Sequence, residues 1–312
     1  MTRNECAAWL LSHDNFCILT HVRPDGDTVG SASALCVGLR QLGKNAYLLC
    51  NDGVSPFLDR CQVGLTKAWP DAHDTLITVD VAAKQILPDN WLCLQDRIQL
   101  RIDHHGSAES FAEQELVDAS AAACGEIVYD VLMAMGCEMT KEIAWRLYIA
   151  ISTDTGCFRY ANTTANTYRV AAACAETGAE LYPITMELFD TTSVSELKLK
   201  NWMVDHAVFL CGGKAAVCAI PAELEENVSK EDLEGISGFL RSLEGVVISA
   251  TIRQTETGSK MSVRAVPGFD AAEVCKKFGG GGHKGAAGAG LDVSLEEAVR
   301  LACEALTEAV NG

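Results

Sequence analysis

The sequence predicts an α/β protein: a parallel, doubly wound sheet in an N-terminal domain, joined by a helical linker to a smaller α+β domain. Three observations point there. From about residue 16 to 118, short apolar runs alternate with amphipathic stretches, as expected for strands joined by crossovers. Four apolar segments end in carboxylate or imidazole side chains, and the carboxyl ends of strands are where open α/β sheets build their sites. Beyond residue 210 the pattern becomes strand, helix and hairpin.

In chain order, residues 16–20, 46–50, 75–79 and 99–102 read as short buried strands, and 31–42 as a helix closed by Gly43. From residue 121 the period turns helical, giving helices over 125–135, 141–151 and 167–176, the last closed by Gly178. Residues 183–210 keep helical spacing through Met186, Leu188, Leu197, Leu199, Trp202 and Val208. The expected domains are therefore 1–190, a helical linker over 191–210, and 211–312. The second domain should run strand 215–220, helix 230–243, strand 246–253, a turn at 255–258, strand 260–266, helix 270–278, a glycine-rich segment and helix 294–310.

At 312 residues the chain is long enough for two domains that each bury a core. No apolar run approaches the roughly 18–20 residues that span a bilayer, and the N-terminus turns polar too soon for a secretory signal. No membrane association and a cytoplasmic location are expected. The 14 cysteines are scattered singly, most of them inside apolar runs and with no Cys-x-x-Cys pair, and are read as reduced, structural thiols. A formal net charge of −17 opposes binding of long duplex or long single strands, which needs many cationic contacts to phosphate. A short anionic substrate held by metal ions and a few local cations is compatible with it.

The chemistry is concentrated at the segment ends. His21 and Asp25 stand four apart, and Gly26 is expected to make a sharp turn that lets Asp25 and Asp27 converge. Two carboxylates so close repel one another unless a cation lies between them. Asp80, His104 and Asp154 can complete a site for two divalent ions about 3.5–4 Å apart, the spacing that clamps an attacking water and a phosphoryl oxygen. Oxygen donors with some imidazole and no thiolate favour Mn²⁺ or Mg²⁺, Mn²⁺ being the better match to imidazole. Singly, Asp-Gly-Asp is an ordinary turn, Asp80 a helix cap and each histidine a core or surface residue. Four such pieces at four segment ends are a poor fit to caps.

These motifs, His21-Val-Arg-Pro-Asp25-Gly-Asp27, Asp80, Asp103-His104-His105 and Asp154-Thr-Gly156, resemble those of the DHH phosphoesterase superfamily. The resemblance implies that His21, Asp25 and Asp80 hold one metal, and Asp27, Asp80, His104 and Asp154 the other, Asp80 bridging. Asp103 would then orient a histidine. His105 would lie near the attacking water or the substrate phosphate, as part of the catalytic pair Asp103 and His105. Two departures from the family occur: Gly106-Ser-Ala-Glu109 replaces an Asn that often follows the histidines, and Val81-Ala-Ala-Lys84 lacks a polar turn.

Phe278-Gly-Gly-Gly-Gly-His283-Lys284 could cradle a phosphate, since glycines let successive backbone N–H groups approach an anion. It is neither a Walker loop nor a dinucleotide fingerprint. With the Arg253…Arg264 hairpin it resembles the DHH-associated domain of the first type, found in RecJ-like nucleases and the nano-RNase group. By that resemblance Gly281, Gly282, His283 and Arg264 would grip the substrate's terminal phosphate, with Arg253 and Lys284 as weaker candidates. Arg159 follows the last metal motif closely enough to reach the cleft. The resemblance implies a Mn²⁺-dependent phosphoesterase acting on short single-stranded RNA or a nucleotide bisphosphate, with a homodimer as one allowed assembly. Competing readings are a phosphodiesterase of linear or cyclic dinucleotides, a family II pyrophosphatase, and a nucleotide-binding regulator without catalysis. The glycine-rich loop argues against the second, and the complete ligand set against the third.

Overall fold

Six short parallel strands organise the first unit of the computed structural model, which describes residues 1–106, 110–225, 228–255 and 257–312. This unit, Met1–Thr191, contains α1 (Arg3–Ser12), β1 (Phe16–Leu19), α2 (Gly26–Gln41), β2 (Ala46–Leu49), α3 (Pro56–Asp59), β3 (Leu65–Thr66) and β4 (Thr75–Val79). It continues with β5 (Ile98–Asp103), β6 (Gln114–Val117), α4 (Cys124–Ala134), α5 (Lys141–Asp154), α6 (Ala165–Glu176) and α7 (Tyr182–Thr185). The strand order is β3-β2-β1-β4-β5-β6. Phe16 of β1 pairs with Ala46 of β2 on one side and Thr75 of β4 on the other, all in parallel. The winding thus reverses between β1 and β4, which creates the crevice where doubly wound sheets place ligands.

Both central strands are buried along their whole length, which is why they read as continuous apolar runs rather than alternating ones. Ile18, Ile77, Leu100 and Ile102 pack under side chains of α1, α2, α4, α5 and α6. The opposite face carries Cys17, Leu19 and Leu76, which pack with Trp91 and Leu94. That cover consists of 3₁₀ turns, Lys84–Ile86 and Asp89–Arg97.

Several local expectations change. α2 starts at Gly26 rather than residue 31, because the Asp25 carboxylate accepts from the N–H groups of Asp27 and Thr28, both at 3.1 Å, and caps the helix. Gly26 is therefore helical and makes no sharp turn; it is small because a Cβ would lie 2.4 Å from Thr153 Cγ2. The helix expected over 141–151 is α5, extended to Asp154, so the fourth segment ends a helix where the other three end strands.

At Gly30 an added Cβ would come within 2.5 Å of the Arg146 carbonyl oxygen and 2.9 Å of the Ala150 nitrogen. Backbone atoms cannot swing aside. Gly30→Ala should therefore cost about 1–3 kcal/mol, the usual penalty of overpacking, read as a lower urea midpoint. An unchanged midpoint would contradict this close α2–α5 crossing.

The second unit, Thr192–Gly312, contains α8 (Val194–His206), β7 (Val208–Leu210), β8 (Ala215–Ile220), α9 (Ala222–Glu225), α10 (Lys230–Gly235) and β9 (Ile248–Gln254). It ends with β10 (Ser259–Ala265), α11 (Ala271–Lys276), β11 (Gly281–Gly282), β12 (Ala286–Leu291) and α12 (Leu295–Asn311). Its sheet runs β11-β12-β10-β9-β8-β7, antiparallel except for β8 beside β9. Met261, Val263 and Ala287 pack with Val274, Ala298 and Leu306. Ala216, Cys218 and Ile220 instead pack with Leu199, Met203, Ile236 and Leu240.

The helical stretch expected over 183–210 is interrupted by a π-helical turn at Met186–Asp190, and α8 packs into this second core. The helix expected over 230–243 is broken into α10 and two 3₁₀ turns, Ile236–Gly238 and Leu240–Ser242, where Gly235 and Gly238 weaken helical continuity. The glycine-rich segment is followed by a strand, not a helix: Gly281 pairs with Gly288 and Gly282 with Ala287. At the expected 255–258 turn the Thr255 N–H donates to the Gly258 carbonyl at 2.9 Å, while Glu256 lies outside the described residues. Residues 107–109, which carry the departure after the histidines, also lie outside them. No helix among the described residues is long and apolar enough to cross a membrane.

Candidate metal centre

Five carboxylates and three histidines meet at the carboxyl ends of β1, β4 and β5, against the N-terminus of α2 and the C-terminus of α5. Three overlapping groups, His21 with Asp25 and Asp80, Asp27 with His104 and Asp154, and Asp80 with His104 and His105, each place their donor atoms within 4.8 Å of one another. Every residue singled out as a ligand falls in one of these groups. His105, expected beside the ligands, falls in one as well.

Asp80 stands at the centre. It directly follows β4 and adopts a left-handed backbone, φ 59°, which turns its carboxylate over the end of the sheet. Its two oxygens lie 3.9 Å from His21 Nε2 and 3.5 Å from His104 Nε2. Oδ1 is buried and lacks a hydrogen-bond partner among the described residues. Burial, then the charges of Asp27, Asp25, Asp103 and Asp154, raises this carboxyl well above its ordinary range.

Asp27 accepts from the N–H groups of Cys124 at 2.6 Å and Gly125 at 3.0 Å and from Ser31 Oγ at 2.8 Å. It thereby caps α4, whose own N-cap, Ala123, offers no side-chain acceptor. Burial and the Asp154 charge nevertheless push Asp27 up to about 7. Asp154 closes α5 and lies 3.5 Å from His104 Nε2; burial outweighs that imidazole and raises Asp154 to about 6. His21 and His104 are both raised: burial acts against the charged ring, but the facing carboxylates prevail. So dense a cluster of acids, with Asp27, Asp80 and Asp103 buried, interleaved with imidazoles, makes a set of hard oxygen and nitrogen donors suited to a divalent metal.

Asp103 differs from the others. One oxygen faces Arg101, and the other accepts from the backbone N–H groups of His104 at 2.8 Å and His105 at 3.2 Å and contacts His105 Nδ1 at 2.9 Å. Burial acts to raise it, yet His105 and Arg101 hold it below the ordinary carboxylate range.

Some supporting residues escape a reading of the sequence. Asn51, after β2, donates to the His21 carbonyl at 2.9 Å. Asn162 ties the Asp154 carbonyl at 3.0 Å to the Ala122 carbonyl at 3.1 Å. The only sequence signal is a polar residue at a strand end, in Asn51.

Arg159 directs Nε to the Gly156 carbonyl at 2.6 Å and its guanidinium over Phe189. In the second unit, Arg264 stands opposite Ala286 in register and donates to Ser237 Oγ at 2.9 Å. Gly281, Gly282, His283 and Lys284 are exposed at the β11–β12 turn, where the His283 N–H bonds the Ala286 carbonyl at 2.8 Å. Arg253 makes a two-pronged ion pair with Glu225 at 2.8 and 2.7 Å, which occupies the fork expected for phosphate.

Residues 15–151 match the model of the DHH family, N-terminal domain, and residues 212–312 the DHHA1 domain. The chain is 35% identical over 297 residues to the Thermus thermophilus protein named bifunctional oligoribonuclease and PAP phosphatase NrnA, covering 93% of this chain and 89% of that one. It is 25% identical over 300 residues to the Bacillus subtilis protein of the same name, covering 93% of each. A solved Bacteroides fragilis structure, described as an exopolyphosphatase-related protein, superposes with a TM-score of 0.88 at 24% identity over 98% of this chain and 95% of that one.

Proposed function

The chain belongs to the DHH family of phosphoesterases, and from that premise we propose that it hydrolyses short single-stranded RNA to mononucleotides and removes the 3′-phosphate of 3′-phosphoadenosine-5′-phosphate to give AMP. The observation that carries this reading is the convergence of three overlapping donor groups on Asp80 and His104 at the sheet's switch point. Relatives named as oligoribonucleases and PAP phosphatases supply the substrate class.

In this reading His21, Asp25 and Asp80 hold one divalent cation, and Asp27, Asp80, His104 and Asp154 a second, with Mn²⁺ preferred over Mg²⁺. Such a pair, when bound, acidifies a water and neutralises charge on the reacting phosphate. Asp80 belongs to both sets because its two oxygens face different imidazoles. Asp103 fixes the His105 ring through Nδ1, which makes Nε2 the nitrogen that exchanges protons with water or leaving group. Within the second unit, Arg264, His283 and the backbone of Gly281 and Gly282 are the proposed contacts to the terminal phosphate, with Lys284 and Arg253 as further cations, Arg253 only on leaving Glu225; Arg159 is a separate candidate cation of the first unit.

Purified protein with Mn²⁺ should release mononucleotide from a diribonucleotide and phosphate from the bisphosphate. Release of neither would refute the proposal. Arg264→Ala should raise KM for both substrates about 10-fold or more with kcat nearly unchanged, the pattern of lost uniform binding. An equal fall in kcat would remove Arg264 from the anchoring role.

A further inference from the structure

Arg101 is the most buried cation among the described residues, 1% exposed in the middle of a parallel strand where apolar side chains are the rule. Burying a charge there is costly unless it is paired and hydrogen-bonded. Its partners lie in the loop after β4, at the end of β5 and in β6. Nε donates to the Val81 carbonyl at 3.1 Å and to Asp103 Oδ2 at 3.1 Å. Nη2 donates to the Ala82 carbonyl at 3.2 Å, to the His105 carbonyl at 3.4 Å and to the same Asp103 oxygen. Nη1 lies 3.8 Å from Glu115 of β6, and the guanidinium stacks 4.9 Å from the centre of the Phe111 ring.

We propose that Arg101 is a positioning residue that fixes the centre from behind, by locking the left-handed turn at Asp80 and the Asp103–His105 pair to one another. The inference rests on the metal-centre reading above. Val81 and Ala82 follow Asp80 directly, so clamping their carbonyls holds the strained backbone that aims the shared carboxylate. The same fork holds the Asp103 oxygen that does not face His105 and so sets the carboxylate's rotation and, through it, the imidazole plane. A lysine can reach one or two of these acceptors but lacks the planar fork that serves them together.

The test compares Arg101→Lys and Arg101→Met with the wild type by Mn²⁺ titration, followed calorimetrically without substrate, and by kcat and KM at saturating Mn²⁺. Loss of an outer partner weakens metal affinity or activity by about 10–100-fold. The expected result is that loss in Mn²⁺ affinity and in kcat for the methionine variant, a smaller loss for lysine, and KM within about threefold. Should either variant fail to fold, Phe111→Leu removes the stacking beneath the guanidinium without touching a ligand, and should shift Mn²⁺ affinity in the same direction by about 2–5-fold. Folded variants whose Mn²⁺ affinity and kcat stay within twofold of wild type, whatever their melting temperature, would overturn the proposal. The Mn²⁺ titration separates this failure from an incorrect substrate assignment, which would appear as an inactive wild type.

Discussion

Asp80→Asn should abolish turnover of both the dinucleotide and the bisphosphate while making the metal-free protein harder to unfold. The loss in kcat/KM should be at least about 10³-fold, beyond the ~10–100-fold expected for an outer partner, because both proposed cation sets use this carboxylate. The stability gain follows from its surroundings. Asp80 is 2% exposed, Oδ1 has no hydrogen-bond partner among the described residues, and four other carboxylates raise its proton affinity. The amide keeps the shape, removes the charge and presents an N–H₂ to neighbouring acceptors. Each kcal/mol of relieved repulsion should raise Tm by roughly 2–4 °C. Scanning calorimetry of chelator-treated protein measures it. Retained activity, or a fall in metal-free Tm, would contradict the role given to Asp80.

Stripping divalent metal should abolish activity and leave a protein whose stability falls as pH rises. Asp27 at about 7 and Asp154 at about 6 hold protons in the folded metal-free state that the unfolded chain releases near an ordinary aspartate pKa of about 3.9. Raised His21 and His104 act in the same direction. The folded state thus binds more protons, and the stability they confer is present below about pH 4 and lost as pH climbs through the folded values. Metal-free Tm should be lower at pH 8 than at pH 5. Saturating Mn²⁺ should raise Tm more at pH 8, since at pH 5 it must displace protons from Asp27 and Asp154. Asp103, held low, loses its contribution only in stronger acid and does not reverse the trend. A metal-free Tm that rises between pH 5 and 8 would count against buried, proton-sharing carboxylates here.

The central strands are legible in the sequence because β1 and β4 are buried on both faces and leave an apolar run that no surface strand would show. β3 has two residues and β6 is half-exposed, so neither carries such a signal. The start of α2 is hidden because its first turn, Gly26-Asp-Thr, lacks helical apolar spacing and is fixed by a cap from Asp25. Residues 230–243 keep an apolar period despite two glycines that divide them in space. The candidate ligands can be named individually since each lies within a few residues of an apolar segment's end.

Which side chains the candidate centre brings together is legible in the linear pattern, because its carboxylates and imidazoles stand at or just beyond the ends of buried apolar segments, which is what the sheet's end presents. How they act depends on packing. Asp27 serves both as a candidate ligand and as the cap of a helix 97 residues away. Asp154 arrives on a helix that reaches α2 through Gly26 and Gly30. Arg101, inconspicuous in a strand, binds carbonyls 19 and 20 residues upstream. Charge repulsion, backbone hydrogen bonding and close packing act between atoms adjacent in space, and local sequence spacing carries no record of those distances.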